Sequence, residues 1–261
     1  MLSFTDAQLD TWLATFLWPL FRILGMLMAA PLFGHRSTPT RVKIGLGVFI
    51  ALIVAPTLPP PPAVAPGSWQ GLLILVNQVL IGVAIGFTVR AAFAAADAAG
   101  EIIGLQMGLG FAAFFDPQSA GQSLVLARFL NMLAVLVFLA VNGHLLLLDI
   151  LVESFRSLPV SPSLLAASGF RSVAGFGATI FAIGLQLALP LIAILLMTNL
   201  ALGILTHSAP QLNIFAIGFP ITLSVGLVAL NLSLPYFALQ FEHMIRSSLE
   251  AATSVVTSFG L

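Results

Sequence analysis

The chain has 261 residues, of which 59% are hydrophobic and only 7% are charged, and its nine basic and nine acidic side chains give a formal net charge of zero. Soluble domains carry about 25% charged residues, so this composition excludes an ordinary soluble domain. The basic residues are scattered, which leaves no footprint for nucleic acid, and the absence of cysteine excludes disulfides and thiol chemistry.

Apolar segments long enough for membrane helices follow one another along the chain. Helices are predicted over residues 11–31, 44–58, 70–94, 124–156, 173–205 and 212–234, and an amphipathic tail is predicted over 236–258. A crossing of the bilayer core takes about 20 apolar residues, so the uncharged run from Ile44 to Val89 has room for two crossings. The sequence therefore predicts an all-α integral membrane protein with long kinked helices, helical hairpins and several crossings.

The first predicted helix carries Arg22 in apolar surroundings. A cation at membrane depth is energetically costly, so we expect Arg22 to have a partner buried in the protein. The residues before this helix include Asp6 and Asp10, where a signal peptide would carry lysine or arginine. We therefore expect no cleaved signal.

Two connectors predict the orientation of the chain. The loop 34–43, "GHRSTPTRVK", carries three basic residues and is expected on the cytoplasmic side by the positive-inside rule. The connector 56–68, "PTLPPPPAVAPGS", is too rich in proline to be helical throughout. It lies one crossing away from the basic loop, so we expect it on the outer side.

Small residues recur every four positions at Ala92, Ala96, Gly100, Gly104 and Gly108, so a helix over these residues would present them as one ridge. Such a ridge lets two helix backbones approach closely, and it is typical of helix association in membranes. The spacing leaves two interpretations open: the ridge packs against other helices of this chain, or it forms an interface between subunits.

Charged residues accompany the ridge. Asp97 and Glu101 are four residues apart, and Arg90 lies two turns before Asp97 on much the same side. Carboxylates at membrane depth often relay protons or bind cations. The alternative, which we favour, is a set of ion-paired groups in which Arg90 partly neutralises the two acids.

The segment 104–117, "GLQMGLGFAAFFDP", combines glycine and phenylalanine in an unusual density. If it is helical, an apolar stripe forms from Met107, Phe111, Phe114 and Phe115. If it is not helical, Gly108 and Gly110 permit a loop that carries these side chains at its tip.

Asp116 and Pro117 favour the start of a new helix at residue 117. The Asp116 carboxylate can accept hydrogen bonds from free backbone N–H groups, and proline suits the first helical position. Residues 105–115 are then a connection between two helices. An apolar connection amid charges is consistent with a plug that stops ions by dewetting a pore, although these residues alone favour helix packing.

The last third of the chain is predicted to be a helical hairpin joined by "THSAPQL". Prolines at 190, 210, 220 and 235 predict kinks or breaks in it. Enzyme motifs are not recognised. Lys43 lacks the glycines of a P-loop, no GxSxG elbow occurs, and the four histidines lack metal-ligand spacing, so we expect neither catalysis nor a cofactor.

Four segments together resemble the FliR family, the flagellar biosynthetic proteins of the type III export apparatus. They are "RILGMLMAAPLFG" (22–34), "LQMGLGFAAFFDP" (105–117), "LARFLNMLAVLVFLAVNGHLLLL" (126–148) and "LALPLIAILLMTNLALGILTHSAPQLNIFAIGFP" (187–220). The resemblance covers nearly the whole chain in the same order and spacing.

This resemblance implies a subunit of an export gate in the bacterial inner membrane, at the flagellar basal body, where it is in contact with lipid. The gate is formed with FliP and FliQ, with FlhB at the cytoplasmic side, and it passes unfolded flagellar proteins. Residues 1–170 are expected to resemble FliP and residues 171–261 to resemble a FliQ hairpin. The alternatives are an injectisome subunit and, more distantly, a proton-coupled small-solute transporter that uses Arg90, Asp97 and Glu101.

In that family the segment that matches 105–117 projects into the pore as a plug. Carried over to this chain, the resemblance implies that the seal comes from Met107, Phe111, Phe114 and Phe115. Freedom of movement is expected from Gly108 and Gly110, and Asp116 and Pro117 are expected to anchor the returning helix.

Overall fold

A computed structural model of the chain describes residues 6–35, 37–111, 125–209 and 214–260. The described residues form α-helices and short 3-10 turns, and no strand occurs among them. The α-helices are α1 Asp6–Ala29, α2 Thr40–Val54, α3 Trp69–Gln106, α4 Val125–Ala140, α5 Gly143–Ser157, α6 Ala167–Ser208 and α7 Ile214–Ser258. The predicted all-α fold is confirmed.

Five of the described helices are long and apolar enough to cross a membrane, and the number becomes six if the bent pair α4 and α5 forms one span. Together with the hydrophobic composition, this establishes a multi-pass membrane protein. Three helices are much longer than one crossing requires, with 38 residues in α3, 42 in α6 and 45 in α7.

The proline-rich connector between α2 and α3 is not helical throughout, as predicted. A 3-10 turn at Ala55–Thr57 ends α2, and residues 58–68 have no helical structure. The Ser68 hydroxyl then accepts a hydrogen bond from the backbone N–H of Gly71 at 3.0 Å. This bond satisfies one of the free N–H groups at the start of a helix, which explains why α3 begins at Trp69.

The prediction of one helix over 124–156 was wrong, because the chain bends by 67° between α4 and α5. The bend lies at Asn142, whose φ of 56° places it in the left-handed region. Asparagine tolerates this conformation better than most residues, and the following Gly143 adds no side chain that would hinder the bend. The Asn-Gly pair was the sequence signal for this break.

The predicted tail over 236–258 is not a separate element, since α7 runs without interruption from Ile214 to Ser258. It passes through Pro220 and Pro235, and α6 likewise passes through Pro190. Pro190, Pro220 and Pro235 therefore do not break these helices, and Pro210 lies outside the described residues. Membrane helices tolerate proline because neighbouring groups and local adjustments satisfy the freed backbone carbonyls.

The chain divides into two compact units. The first contains Met1–Ala91, Asn142–Gly177 and Ile245–Leu261, and the second contains Ala92–Val141 and Ala178–Met244. This division reflects packing within the chain. The expected resemblance of residues 1–170 to FliP and of residues 171–261 to FliQ concerns evolutionary relationship, which the packing units do not test. It remains a prediction.

In the first unit, α1 and α3 pack with their backbones in contact. A Cβ on Gly82 would collide with the backbone oxygen of Arg22 and lie 2.8 Å from the nitrogen of Met26. A Cβ on Gly86 would lie 2.7 Å from both the oxygen of Met26 and the nitrogen of Ala30. Glycine at these two positions is therefore a condition for the approach of the two helices, as in other GxxxG contacts.

In the second unit, α3 packs against α4 and α6. The rings of Phe93 and Phe138 meet edge to face with their centroids 5.5 Å apart. On the α6 side, a Cβ on Gly184 would lie 2.9 Å from the Cβ of Ala98. The second half of α3 thus packs against helices that come from later segments of the chain.

Candidate functional site

The end of α3 is the most distinctive local structure among the described residues. The backbone N–H of Met107 donates to the carbonyl of Ile103 at 2.9 Å, and that of Gly108 donates to the carbonyl of Leu105 at 3.0 Å. Gly108 then adopts a φ of 84°, a backbone conformation that residues with a side chain rarely adopt. This glycine ends the helix in the same manner as a C-terminal cap, and a 3-10 turn follows over Leu109–Phe111.

Met107 is fully buried, with 0% of its surface exposed. Its side chain lies on Gly226 of α7, where a Cβ would be 2.6 Å from Cγ, 2.8 Å from Cε and 2.9 Å from Sδ of Met107. Such distances are below van der Waals contact, so the methionine fits here because residue 226 has no side chain. Two residues far apart in the sequence thereby connect α3 to α7.

The turn also folds back on its own helix. A Cβ on Gly110 would lie 2.9 Å from Cδ2 of Leu105 in the last turn of α3. The glycine expected to give the segment freedom therefore also permits a close contact. The described portion of the segment is a defined turn and not a continuation of α3.

The predicted plug residues fall into two groups. Met107 is buried against α7, Gly108 and Gly110 are partly buried, and Phe111 is the last residue of the 3-10 turn. The remaining predicted residues lie outside the described residues: Phe114, Phe115, Asp116 and Pro117. The predicted helix start at residue 117 is also outside them, and α4 is described from Val125.

The small-residue ridge is buried within the chain along α3. Ala96 is 0% exposed, and Gly100 and Gly104 are also buried. A Cβ on Gly100 would collide with the Cα of Ala127 and lie 2.7 Å from its nitrogen, so Gly100 packs against α4 of the same chain. Gly108 was predicted to extend this ridge, but α3 ends at Gln106, and the extension was therefore wrong.

The three charged residues near the ridge differ in their surroundings. Arg90 and Glu101 are exposed, so neither is buried within this chain, whereas Asp97 is half-buried and interacts with other groups. On the exposed face of α5, an ion pair joins Arg156 and Glu153 at 3.2 Å. Among the described residues, no group of three histidine, aspartate or glutamate side chains is placed to hold a metal ion.

Arg22 has the buried partners that the sequence predicted. It is 0% exposed, and its Nε donates to Oε1 of Gln78 at 2.8 Å. Its Nη1 donates to the carbonyl and the hydroxyl of Ser154 at 2.7 and 3.1 Å, and its Nη2 donates to the carbonyl of Leu158 at 3.0 Å. The guanidinium carbon also lies 4.1 Å from the ring centroid of Phe155.

These bonds make Arg22 the cap of the C-terminal end of α5. The carbonyl of Ser154 also accepts the backbone N–H of Leu158, so Arg22 adds a second donor there, and a cation at this helix end is stabilised by the helix dipole. Arg22 therefore joins α1, α3 and α5 within the first unit. This is a structural site, because its donors are directed at the protein's own carbonyl and amide groups.

Sequence reasoning missed several residues of this arrangement. The contact of Gly82 and Gly86 with α1 had a signal in the string "GVAIG", which has the GxxxG spacing. The contact of Gly226 with Met107 had no comparable signal. Neither did the choice of Gln78 and Ser154 as partners of Arg22, since polar residues of this kind occur throughout the chain.

The sequence matches the family model described as "Bacterial export proteins, family 1" over residues 13–248. It is 46% identical over 260 residues to the flagellar biosynthetic protein FliR of Pectobacterium carotovorum subsp. carotovorum, with 98% of each chain covered. It is 46% identical over 261 residues to the protein of the same name from Escherichia coli K12, with 100% of each chain covered. The Bacillus subtilis FliR is 31% identical over 250 residues, which are 94% of this chain and 96% of that protein.

Proposed function

Because the chain belongs to the FliR family of bacterial export proteins, we propose that it is a subunit of the flagellar type III export gate in the inner membrane, at the basal body. In this proposal it forms, with FliP and FliQ, the channel that passes unfolded flagellar proteins, and FlhB binds at the cytoplasmic side. The observation that carries the proposal is the match along the full length to proteins named flagellar biosynthetic protein FliR.

The structure of the α3 end supports a role in closing such a channel. A channel for unfolded polypeptide has to admit every kind of side chain and still retain ions. Apolar side chains on a turn meet both requirements, because they deform around a substrate and exclude water in its absence. In the proposed gate this seal is formed by Phe111, Phe114 and Phe115.

The chain is proposed to act without catalysis. The family is one of export proteins and not of enzymes, and the described residues contain no cluster suited to a metal ion. The energy for export then comes from the proton-motive force and from a separate ATPase.

An injectisome subunit remains the nearest alternative, and the names of the relatives favour the flagellar branch. A proton-coupled transporter is the more distant alternative. It needs an enclosed charged site near the middle of the membrane. Arg90 and Glu101 are exposed in this chain, which does not favour an enclosed charged site.

The test is removal of the gene from its own bacterium, followed by purification of the tagged chain from the complemented strain. We expect loss of swimming and of secreted filament protein, and copurification with FliP-like and FliQ-like proteins at one copy of this chain per assembly. A stable chain purified alone, with export unaffected by the deletion, would contradict the gate. Loss of injectisome secretion with normal swimming would move the chain to the other branch.

A further inference from the structure

The side chain of Met107 occupies a position that exists only because residue 226 is glycine. Three atoms of this side chain lie 2.6–2.9 Å from the place where a Cβ on residue 226 would stand. Met107 is also 0% exposed, although it follows directly after the last residue of α3. Its atoms lie directly against Gly226, so α7 contributes to this burial.

The structure on the two sides of Met107 differs. Before it, α3 is a regular helix, and the backbone N–H of Met107 itself donates the last of the helical hydrogen bonds, to the carbonyl of Ile103. After it, Gly108 has a φ of 84° and the chain turns into the 3-10 segment Leu109–Phe111. Glycine at this position gives the turn a conformational freedom that other residues lack. The buried methionine side chain therefore attaches the base of this turn to another helix.

We propose that Gly226 is a positioning residue for the channel seal: by accommodating the Met107 side chain, it fixes the turn Met107–Phe111 to α7. This inference rests on the proposed function, in which the same turn leads into the seal. Met107 then does not form the seal itself. It fastens the segment, and the position of α7 at Gly226 determines where the turn lies.

The substitution Gly226→Ala is suited to test this attachment. Alanine has a higher helix propensity than glycine, so α7 itself gains from the change. The added Cβ would meet Cγ, Cε and Sδ of Met107, all of them in a flexible side chain with three rotatable bonds. The side chain of Met107 is therefore the group that moves, and the turn is released while the helix remains.

Gly203→Ala is a matched control. Gly203 lies in α6 of the same unit, and a Cβ added there would meet no atom within 4 Å. Both variants are made with a reporter thiol, Leu109→Cys, which is unique because the chain contains no cysteine. The rate at which a water-soluble maleimide labels this thiol is measured on the assembled gate complex, and ion conductance is measured on the same complex in vesicles.

We expect Gly226→Ala to speed labelling about tenfold, the factor that corresponds to about 1.4 kcal/mol, and Gly203→Ala to change it less than about twofold. Met107→Ala should speed labelling to a similar extent. Adding Gly226→Ala to Met107→Ala should then have no further effect, because the two changes remove one contact.

Labelling that is as slow in Gly226→Ala as in the parent would overturn the attachment, whatever the conductance. The sealing role is tested separately by Phe111→Ala. If Gly226→Ala speeds labelling but neither variant conducts more ions, the attachment stands and the proposed seal fails. The proposal is supported in full if Gly226→Ala and Phe111→Ala both raise the ion conductance and, of these two variants, only Gly226→Ala speeds labelling.

Discussion

Arg22 of α1 donates a hydrogen bond from Nε to the side-chain oxygen of Gln78 in α3 at 2.8 Å, and both side chains are buried. Its other donors reach neutral groups at the end of α5, namely the carbonyl of Ser154 and that of Leu158. A buried cation is thus stabilised by an amide, by carbonyls and by a helix end, without a carboxylate among these partners. The stability of the first unit should therefore depend on the hydrogen bonds of Arg22.

Replacing Arg22 with alanine should strongly destabilise the protein. The change removes a donor from the side-chain oxygen of Gln78 and from the carbonyl of Leu158, whereas the carbonyl of Ser154 keeps the backbone N–H of Leu158. Each buried polar group that is left unpaired costs about 1–3 kcal/mol. Arg22→Lys should recover only a fraction of the loss, because lysine cannot direct donors to three groups as a planar guanidinium does. The measurement is the free energy of unfolding of the purified protein in detergent.

Arg156→Ala provides the control for this experiment. Arg156 pairs with Glu153 at 3.2 Å, and both side chains are more than half exposed. Exposed pairs contribute about 0–1 kcal/mol, so this variant should unfold much like the parent. Equal effects of the two substitutions would contradict the structural role of Arg22.

Gly82→Ala should prevent the normal packing of α1 on α3. The added Cβ would collide with backbone atoms of Arg22 and Met26, which cannot move without shifting α1. Overpacking of this kind costs about 1–3 kcal/mol or more. We expect reduced abundance of the protein in membranes and reduced thermal stability after purification. Gly45→Ala in α2, where a Cβ meets no atom within 4 Å, should leave both quantities unchanged.

Replacing Phe111, Phe114 and Phe115 together with alanine should raise the ion conductance of cells or of reconstituted gates. Smaller side chains leave a wider constriction that water enters, and wetting permits ions to pass. Assembly with the partner proteins should be normal. Phe49→Ala, at an exposed position of α2, is the control for loss of an aromatic ring outside the proposed seal, and it removes one ring where the test variant removes three. A conductance equal to that of the parent would exclude the sealing role.

Asp97→Asn should reduce export only modestly. Asp97 is half-buried and interacts with other groups, which is consistent with a structural carboxylate. The amide keeps the shape and some of the hydrogen bonding, so the assembly should remain intact. Measurement of secreted protein alongside the amount of assembled gate separates the two effects. Abolished export from an intact assembly would instead support a proton relay through Asp97.

The sequence predicted the helical class, the non-helical connector and the burial of Arg22, because these follow from local composition. It failed where the deciding partners are distant. Arg22 and Ser154 are 132 residues apart, and nothing near either residue specifies the other. The same reason applies to Met107 and Gly226, since a glycine within an apolar helix has many possible neighbours.

Local signals were also misread where two of them competed. Apolar periodicity continues through Val141 and Asn142 and predicts one helix, whereas the Asn-Gly pair predicts a turn, and the turn prevailed. At Pro235, which separates the predicted helix 212–234 from the predicted tail, the outcome was the reverse, and α7 continued through the proline; the predicted helix already spanned Pro220. Packing against the rest of the chain decides such cases, and a window of sequence does not contain that information.

The length of α6 has a consequence for the fate of the protein in the cell. Its 42 residues have a length of about 63 Å along the helix, about twice the thickness of the bilayer core, which is about 30 Å. Exposed apolar side chains extend from Phe170 to Ile204, which lie about 51 Å apart along the helix. Lipid tails can cover only some of this surface. In the proposed gate, partner subunits cover the remainder. A copy made in excess of them should therefore aggregate or be degraded, so that synthesis of this chain has to keep pace with theirs.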